Sequence, residues 1–263
     1  MRRLKTLSMI LIVLLAADMA AAWTVRAPSE YGSVIIRNFS RRAGLAPVRF
    51  DHWLHRALYT CRLCHVDIGF AMEENGTKIT ADTNVKGFYC GACHNGIRLY
   101  GEKHIFSSCS QSATPGENSQ CSRCHSVGKK VQKEHDYASF TEKFPKSGLG
   151  GLIDWEETEA RGLIHPEDYL PGISIRRQTL NAQKDFSITS KSTWMPDIIF
   201  SHKKHILWNG CEICHPDIFP SAKKGTVKYT MLDISSGQYC GLCHDRVAFA
   251  LNNCEKCHSA PVR

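Results

Sequence analysis

The feature that most constrains this chain is a pentapeptide, Cys-x-x-Cys-His, that occurs six times in 263 residues. The pattern is the attachment signature of c-type haem, in which two thiols bond to the porphyrin and the next histidine binds the iron. The sequence therefore predicts six covalently bound haem c groups. The predicted attachment residues are Cys61, Cys64, Cys90, Cys93, Cys121, Cys124, Cys211, Cys214, Cys240, Cys243, Cys254 and Cys257. The predicted proximal iron ligands are His65, His94, His125, His215, His244 and His258.

Other roles for these cysteines explain the pattern less well. A zinc site takes four ligands and does not need a histidine directly after every cysteine pair. A thioredoxin-type redox motif is typically found near a βαβ pattern, and it would occur once. A disulfide framework leaves the histidine unexplained. The thirteenth cysteine, Cys109, lies outside the motifs, and we expect a small buried side chain there, with an intermolecular disulfide or a ligand role as alternatives.

The first 22 residues have the pattern of a cleaved secretory signal peptide. Basic residues at Arg2, Arg3 and Lys5 precede an apolar run, and small residues precede Trp23. The apolar run is short for a membrane span. Because c-type haem is attached outside the cytoplasm, we expect a protein of the periplasm, or one exported to the outer membrane or cell surface.

The net charge of +8 does not indicate a nucleic-acid partner. The lysines and arginines are scattered along the chain, whereas nucleic-acid-binding segments concentrate them. Each haem also brings two propionates, so we expect many of the basic side chains to balance these carboxylates or to lie in solvent.

The chain contains an internal repeat. Phe50-x-His52-x-x-His55 precedes Cys61 by the spacing at which Phe200-x-His202-x-x-His205 precedes Cys211, and both units place the second motif 29 residues after the first. The third motif follows 31 residues later in the first unit and 14 residues later in the second, so the first unit carries a 17-residue insertion.

The repeat predicts the domain organisation. The predicted segments are a signal peptide at 1–22, an N-terminal segment at 23–47, triheme unit 1 at 48–126, a haem-free connector at 127–196 and triheme unit 2 at 197–263. Units this small bury little apolar surface, so we expect the porphyrins to supply their cores. The predicted fold is a small, duplicated, haem-cored one, mostly irregular, with short helices and little β structure beyond a hairpin at the start of each unit. We expect the connector to pack on the units, with one short helix over 154–162.

The two His-x-x-His pairs are the predicted distal iron ligands. Residues three apart on a helix lie on one face, so one imidazole can reach the first haem and the other a neighbouring haem. The pairs are His52 with His55 and His202 with His205. The order Phe-x-His-x-x-His, Cys-x-x-Cys-His, Cys-Gly-x-Cys-His, Cys-x-x-Cys-His resembles the triheme cytochrome c7 domain of the cytochrome c3 class, in both units. The resemblance implies that His52 pairs with His65, His55 with His94, His202 with His215, and His205 with His244.

The third haem of each unit departs from the family pattern, because the loop before the second motif contains no histidine. In unit 2 that loop holds Met231, and methionine is an accepted axial ligand; the alternative is a methionine that fills a gap in the core. In unit 1 the aligned residue is Ala81. There we favour Met72, with His104 in the insertion as the main alternative and His135 or an open site as others.

The resemblance implies an electron carrier without enzymatic activity. It would relay electrons in anaerobic respiration, between a membrane quinol dehydrogenase and terminal or extracellular acceptors. Its partners would be other cytochromes, redox proteins or an outer-membrane cytochrome complex. One alternative is a reductase of a small oxyanion that uses an open haem, and another is a subunit of a cytochrome filament or an outer-membrane conduit.

Overall fold

The protein was analysed as a computed structural model that describes residues 27–109, 119–131, 135–147, 151–177, 184–221 and 223–261. The predicted signal peptide lies outside these ranges. The helices are α1 (His52–Leu58), α2 (Ala81–Val85), α3 (Ser119–Cys124), α4 (Tyr137–Phe140), α5 (Trp155–Ala160), α6 (His202–Asn209) and α7 (Met231–Ser235). The strands are β1 (Ser33–Ile36), β2 (Val48–Asp51), β3 (Leu99–Tyr100), β4 (Lys103–His104), β5 (Phe186–Ile188) and β6 (Ile198–Phe200). Single turns of 3₁₀ or π helix lie at several motifs, and most of the remaining described chain is irregular. The predicted fold class is confirmed.

Each unit opens on an antiparallel hairpin, as the sequence predicts. Strand β1 pairs with β2 from Ser33↔Asp51 to Ile36↔Val48, and β5 pairs with β6 from Phe186↔Phe200 to Ile188↔Ile198. The first strand of each hairpin lies before the predicted unit boundary, at 48 or 197. A histidine motif defines the second strand and the helix after it, but the partner strand, Ser-Val-Ile-Ile in β1 and Phe-Ser-Ile in β5, contains no residue that marks a boundary.

The His-x-x-His pairs lie on helices that start directly after β2 and β6. Helix α1 follows Asp51, and helix α6 follows Ser201, whose hydroxyl accepts a hydrogen bond from the Lys204 N–H. The extended backbone at both N-caps turns the chain sharply from strand into helix. As a result both ligand pairs stand at the same place relative to their hairpins.

A second duplicated element, a short capped helix, precedes each Cys-Gly-x-Cys-His motif. Helices α2 and α7 both start with a capping box, formed by Thr80 with Thr83 and by Thr230 with Asp233. Each helix then ends against the glycine of the motif. A Cβ on Gly91 would lie 1.8 Å from the Asn84 carbonyl oxygen, and one on Gly241 would lie 1.8 Å from that of Ile234. Only glycine lets the motif approach the helix end this closely.

The connector supplies four of the ten buried hydrophobic side chains in the described part of the chain. Phe144, Ile153 and Ile164 from the connector pack with Ala57 of α1, and Trp208 of α6 lies against the same cluster. A second cluster joins Leu170 to Tyr59 and Leu63 of unit 1. The predicted connector helix is α5, capped by the Asp154 carboxylate, which accepts from the Glu157 N–H. The prediction that the connector packs on the units is therefore confirmed, and the connector contacts both of them.

None of the described helices has the length and apolar character needed to cross a bilayer.

Candidate haem sites

A large connected cavity runs through both units and along the connector. Its volume is about 2060 Å³, roughly twice the upper end of the range of about 300–1,000 Å³ that is usual for a single ligand pocket. Residues of both hairpins, α1, α6 and the connector line it. Ten of the motif cysteines line it: Cys61, Cys64, Cys90, Cys93, Cys124, Cys214, Cys240, Cys243, Cys254 and Cys257. The cavity is thus large enough for several ligands and is bordered by the groups expected to attach them.

Three of the predicted ligand pairs face each other across this cavity. The ring centroids of His52 and His65 lie 6.4 Å apart with nearly parallel planes, at 6°. Those of His55 and His94 lie 6.2 Å apart, and those of His205 and His244 lie 6.3 Å apart. An imidazole nitrogen binds a metal at about 2 Å, so two imidazoles on opposite sides of one ion have centroids roughly 6 Å apart. The three pairs therefore fit bis-histidine ligation of an iron.

The fourth predicted pair, His202 with His215, forms no such ring contact. His202 packs against Phe186 at 5.1 Å and Phe200 at 5.0 Å. His215 packs against Phe219 at 6.3 Å. Their assignment to one iron remains a prediction.

Backbone carbonyl groups hold the Nδ1 atoms of most predicted ligands. His65 Nδ1 lies 2.9 Å from the Phe70 oxygen, and His52 Nδ1 lies 2.6 Å from the Gly32 oxygen. The same arrangement holds for His215 with Phe219 at 2.6 Å, His205 with Ser201 at 2.8 Å, His202 with Lys184 at 3.3 Å and His55 with Asp51 at 3.4 Å. A carbonyl oxygen accepts a hydrogen bond only from a protonated nitrogen, so the contact places the ring proton on Nδ1. Nε2 then carries the free lone pair that binding to a metal requires.

Burial keeps these imidazoles neutral. Desolvation is the largest cause that lowers the pKa of His52, His55 and His244 to about 4. The facing imidazole lowers the pKa further in each case, since two protonated rings would repel each other. The Nδ1 atoms of His94 and His244 are buried without a partner in hydrogen-bond geometry, although backbone carbonyl groups of Phe106 and Phe249 act to raise the pKa of these rings. These two rings are therefore less firmly oriented than those whose Nδ1 atoms are hydrogen-bonded.

Aromatic rings frame the ligands in the same way in both units. Phe50 lies 4.4 Å from His55, and Phe200 lies 4.4 Å from His205. Tyr89 and Tyr239, directly before the second motifs, adopt the left-handed backbone at φ 49° and 51°. Such a conformation is unusual for a bulky residue, and its recurrence in both units shows that the duplication extends to backbone detail. All four aromatic residues line the cavity.

The third motifs are anchored by long-range contacts. His125 Nδ1 lies 2.6 Å from the Ala46 oxygen, and His258 Nδ1 lies 2.7 Å from the Pro196 oxygen. In both units the acceptor lies two residues before the second strand of the hairpin. Sequence reasoning missed these acceptors, because a backbone carbonyl leaves no trace in the residue types.

The candidates for the sixth ligand of the third haems all border the cavity: Met72, His104, His135 and Met231. Met231 is the first residue of α7, and its side chain is 52% exposed, so other side chains do not hold it as a core methionine. Ala81 occupies the matching position in α2. His104 ends the small hairpin of the insertion, and its Nδ1 lies 3.1 Å from the Ile97 oxygen.

Cys109 is half-buried beside the second and third motifs of unit 1. Its sulfur accepts a hydrogen bond from the Asn84 side-chain amide at 3.8 Å. All thirteen cysteines are unpaired in the structure. Among the described residues, no three Cys, His, Asp or Glu side chains converge as a site for a bare metal ion.

A family model, cytochrome c7 and related cytochrome c, matches residues 48–136 and 198–259. The chain belongs to this cytochrome c7 family. Together the two matches cover more than half of the chain, and each contains three haem-attachment motifs. The chain is therefore a multihaem c-type cytochrome with a duplicated c7-type region, and its class of function is electron transfer.

Solved multihaem cytochromes are similar to this chain. A c7-type three-heme cytochrome domain is 35% identical over 29% of this chain and 93% of that chain, with a TM-score of 0.27. The C-terminal hexaheme fragment of GSU1996 is 24% identical over 86% of this chain and 96% of its own, with a TM-score of 0.26. The N-terminal hexaheme fragment of GSU1996 is 22% identical over 88% of this chain and 99% of its own, with a TM-score of 0.25. No curated protein matches.

Proposed function

We propose that this chain is an exported hexahaem cytochrome that relays electrons in anaerobic respiration. Its donor would be a quinol-oxidising membrane complex or another cytochrome, and its acceptor a terminal or extracellular one. The observation that carries the proposal is the set of facing imidazole pairs, with centroids 6.2–6.4 Å apart. An iron held on both faces by imidazole has no open position for a substrate, so it suits electron transfer and not reduction of a small molecule.

The chain's own residues would hold and tune each haem when it is bound. The cysteines would tether the porphyrin, and the histidine pairs would bind the iron through Nε2. The backbone carbonyl groups at Nδ1 would fix ring orientation and raise the basicity of the ligand. The aromatic residues beside the ligands would exclude water from the site. Bound haem would supply the one-electron chemistry, and burial of the site would set its reduction potential.

For the third haems we propose Met231 as the sixth ligand in unit 2 and Met72 in unit 1. The position of Met231 supports its assignment, because it starts α7 in the loop where the family pattern places the ligand. His104 is the alternative in unit 1, because its Nδ1 carbonyl contact leaves Nε2 available. Replacing each residue by alanine separates these options, since only loss of the true ligand changes the spin state of that iron.

The decisive experiment measures haem content and ligation in the matured protein. Intact mass and a pyridine haemochrome assay should give six haems on a chain that starts at Trp23. Low-temperature EPR should show low-spin iron throughout. Four or fewer haems would contradict the proposal, and a persistent high-spin iron that binds nitrite would favour a reductase instead. Microscopy of the purified protein that shows filaments would favour a structural subunit.

A further inference from the structure

Arg56 of unit 1 reaches into unit 2. It follows His55 on α1, and its guanidinium Nη1 donates a hydrogen bond to the Val247 carbonyl oxygen. The Val247 N–H in turn donates to the Cys243 carbonyl oxygen at 2.9 Å. One side chain therefore links the ligand helix of unit 1 to the motif that begins at Cys240.

The guanidinium lies inside the molecule between two indole rings. It is 4.7 Å from the ring centroid of Trp155 in the connector and 5.0 Å from that of Trp208 in α6. Its Nε atom is buried and has no hydrogen-bond partner. Stacking on aromatic faces stabilises a cation that has lost its water.

No carboxylate in the described part of the chain forms an ion pair with Arg56. The nearby Glu159 carboxylate accepts instead from the Trp208 Nε1–H at 2.7 Å. Burial lowers the pKa of Arg56, but an arginine stays protonated in proteins. A buried cation without a counter-ion is costly, and such groups are usually paired. The positive charge of the Arg56 guanidinium therefore acts on the neighbouring groups without an ion-paired carboxylate to neutralise it.

Near Arg56, the predicted first haem site of unit 1 also lies against the predicted second haem site of unit 2. Gly32 accepts the Nδ1–H of His52 through its carbonyl oxygen. A Cβ on Gly32 would lie 3.4 Å from the Arg246 carbonyl oxygen and 3.5 Å from Val247 Cγ1.

We propose that the two triheme units exchange electrons between the haem of Cys61–His65 and the haem of Cys240–His244, and that the buried Arg56 charge raises the reduction potential of both. This inference rests on the proposed function, since it requires haem at both motifs. With haem bound at both motifs, an electron that crossed this junction would oxidise one iron and reduce the other, so no further oxidant or reductant would be needed. A positive charge in a low-dielectric site stabilises the iron that carries the extra electron.

The first test uses the parent protein in its fully reduced form, whose low-spin ferrous haems are diamagnetic. Nuclear Overhauser effects assign each haem through its thioether cysteines. We expect cross-peaks between protons of the haem at Cys61–Cys64 and protons of the haem at Cys240–Cys243. Absence of these cross-peaks, with those between neighbouring haems inside each unit present, would overturn the proposed junction.

The second test is a redox titration of Arg56→Met, Arg56→Lys and a matched control, Arg161→Met. Arg161 lies at the exposed end of α5 and pairs with Glu157 at 2.8 Å. We expect Arg56→Met to shift two of the six potentials downward, while Arg56→Lys and Arg161→Met leave them close to those of the parent. Unchanged potentials in an Arg56→Met protein that holds six low-spin haems would overturn the role of Arg56.

Haem content separates the two proposals. Loss of haem or of low-spin iron in the parent protein would contradict the proposed function itself. If Arg56→Met fails to mature, Arg56→Gln with Arg56→Lys gives the same comparison of charge, and the NMR test of the junction does not depend on any variant.

Discussion

At the scale of single residues, imidazole orientation is set more by the backbone than by side chains. His65, His52 and His205 each place Nδ1 against a carbonyl oxygen within 3 Å. The position of a histidine motif in the sequence predicts which residues can bind iron. It does not reveal which carbonyl orients the ring, because every residue type carries the same carbonyl group. The candidate ligands therefore follow from the sequence, whereas the carbonyl groups that orient their rings do not.

Replacing His55 or His205 by alanine should free one coordination position in each protein. We expect one of the six irons to become five-coordinate or water-bound, because the substitution removes the imidazole that faces His94 or His244. Low-temperature EPR should show a high-spin signal that the parent lacks. His165→Ala is the control, since this histidine is exposed in the connector and should leave the spectrum unchanged. Wholly low-spin spectra with unchanged potentials for both variants would refute the ligand assignment.

Met231 should be recognisable by its sulfur. A thioether ligand stabilises ferrous iron, so we expect the third haem of unit 2 to have a higher potential than its bis-histidine neighbours. The oxidised protein should show the weak charge-transfer band of Fe–S(Met) bonding near the red end of the visible spectrum.

Met231→His should weaken that band and lower one potential. Met72→Ala and His104→Ala make the same comparison for unit 1. A parent protein without the band, together with a Met231→Ala variant that titrates like the parent, would show that the methionine serves packing alone.

At the scale of elements, the duplication repeats four features in each unit. They are a hairpin, a helix that carries the ligand pair, a capped helix and a close contact at the motif glycine. The sequence predicts the hairpins and the ligand helices, because the histidine spacing and the N-cap residues are local signals. It does not predict that β1 and β5 come from outside the motif-bearing segments. Strand pairing is non-local, and Ser33–Ile36 carries no residue that specifies its partner at Val48–Asp51.

Substituting Gly241 by alanine should damage the second site of unit 2. The added Cβ would lie 1.8 Å from the Ile234 carbonyl oxygen, and a backbone atom cannot move aside as a flexible side chain can. We expect a loss of stability of about 3 kcal/mol, at the upper end of the cost of overpacking, and reduced haem occupancy. Thermal unfolding and intact mass measure these effects.

Gly101→Ala is the control for backbone strain. Gly101 has φ +58° but open space around it, so alanine there should cost about 1–2 kcal/mol without loss of haem. Equal effects at the two glycines would show that the close contact at Gly241 has no special importance.

At the scale of the whole molecule, the connector joins two units that have few buried side chains of their own. Its residues Phe144, Ile153 and Ile164 meet α1 and α6 in one cluster. Lys256, inside the last motif, donates to the Asp154 carboxylate at 2.7 Å and ties unit 2 to the start of α5. The sequence predicts that the connector packs, because it is too long for a plain linker. The composition of the connector does not predict that the connector contacts both units at once.

Phe144→Ala should loosen the association of the two units. Deleting a buried phenylalanine costs about 3–5 kcal/mol, and here the cavity would open between α1 and the connector. Trp194→Ala is the control, because Trp194 is 76% exposed and should change stability by no more than about 0.5 kcal/mol. Denaturant unfolding followed by tryptophan emission and by haem absorbance would compare them. An unchanged midpoint for Phe144→Ala would refute the bridging role of the connector.

The carbonyl contacts of the third motifs also bear on the order in which the molecule matures. The Nδ1 acceptors of His65 and His215 lie five and four residues further along the chain, so those rings can be oriented within a short segment of chain. The acceptors of His125 and His258 lie 79 and 62 residues earlier, just before the start of their units. Closing so long a loop comes late in folding. We therefore expect the first haem of each unit to gain its final ligand field early. The third haem should gain its own only after the whole unit has folded.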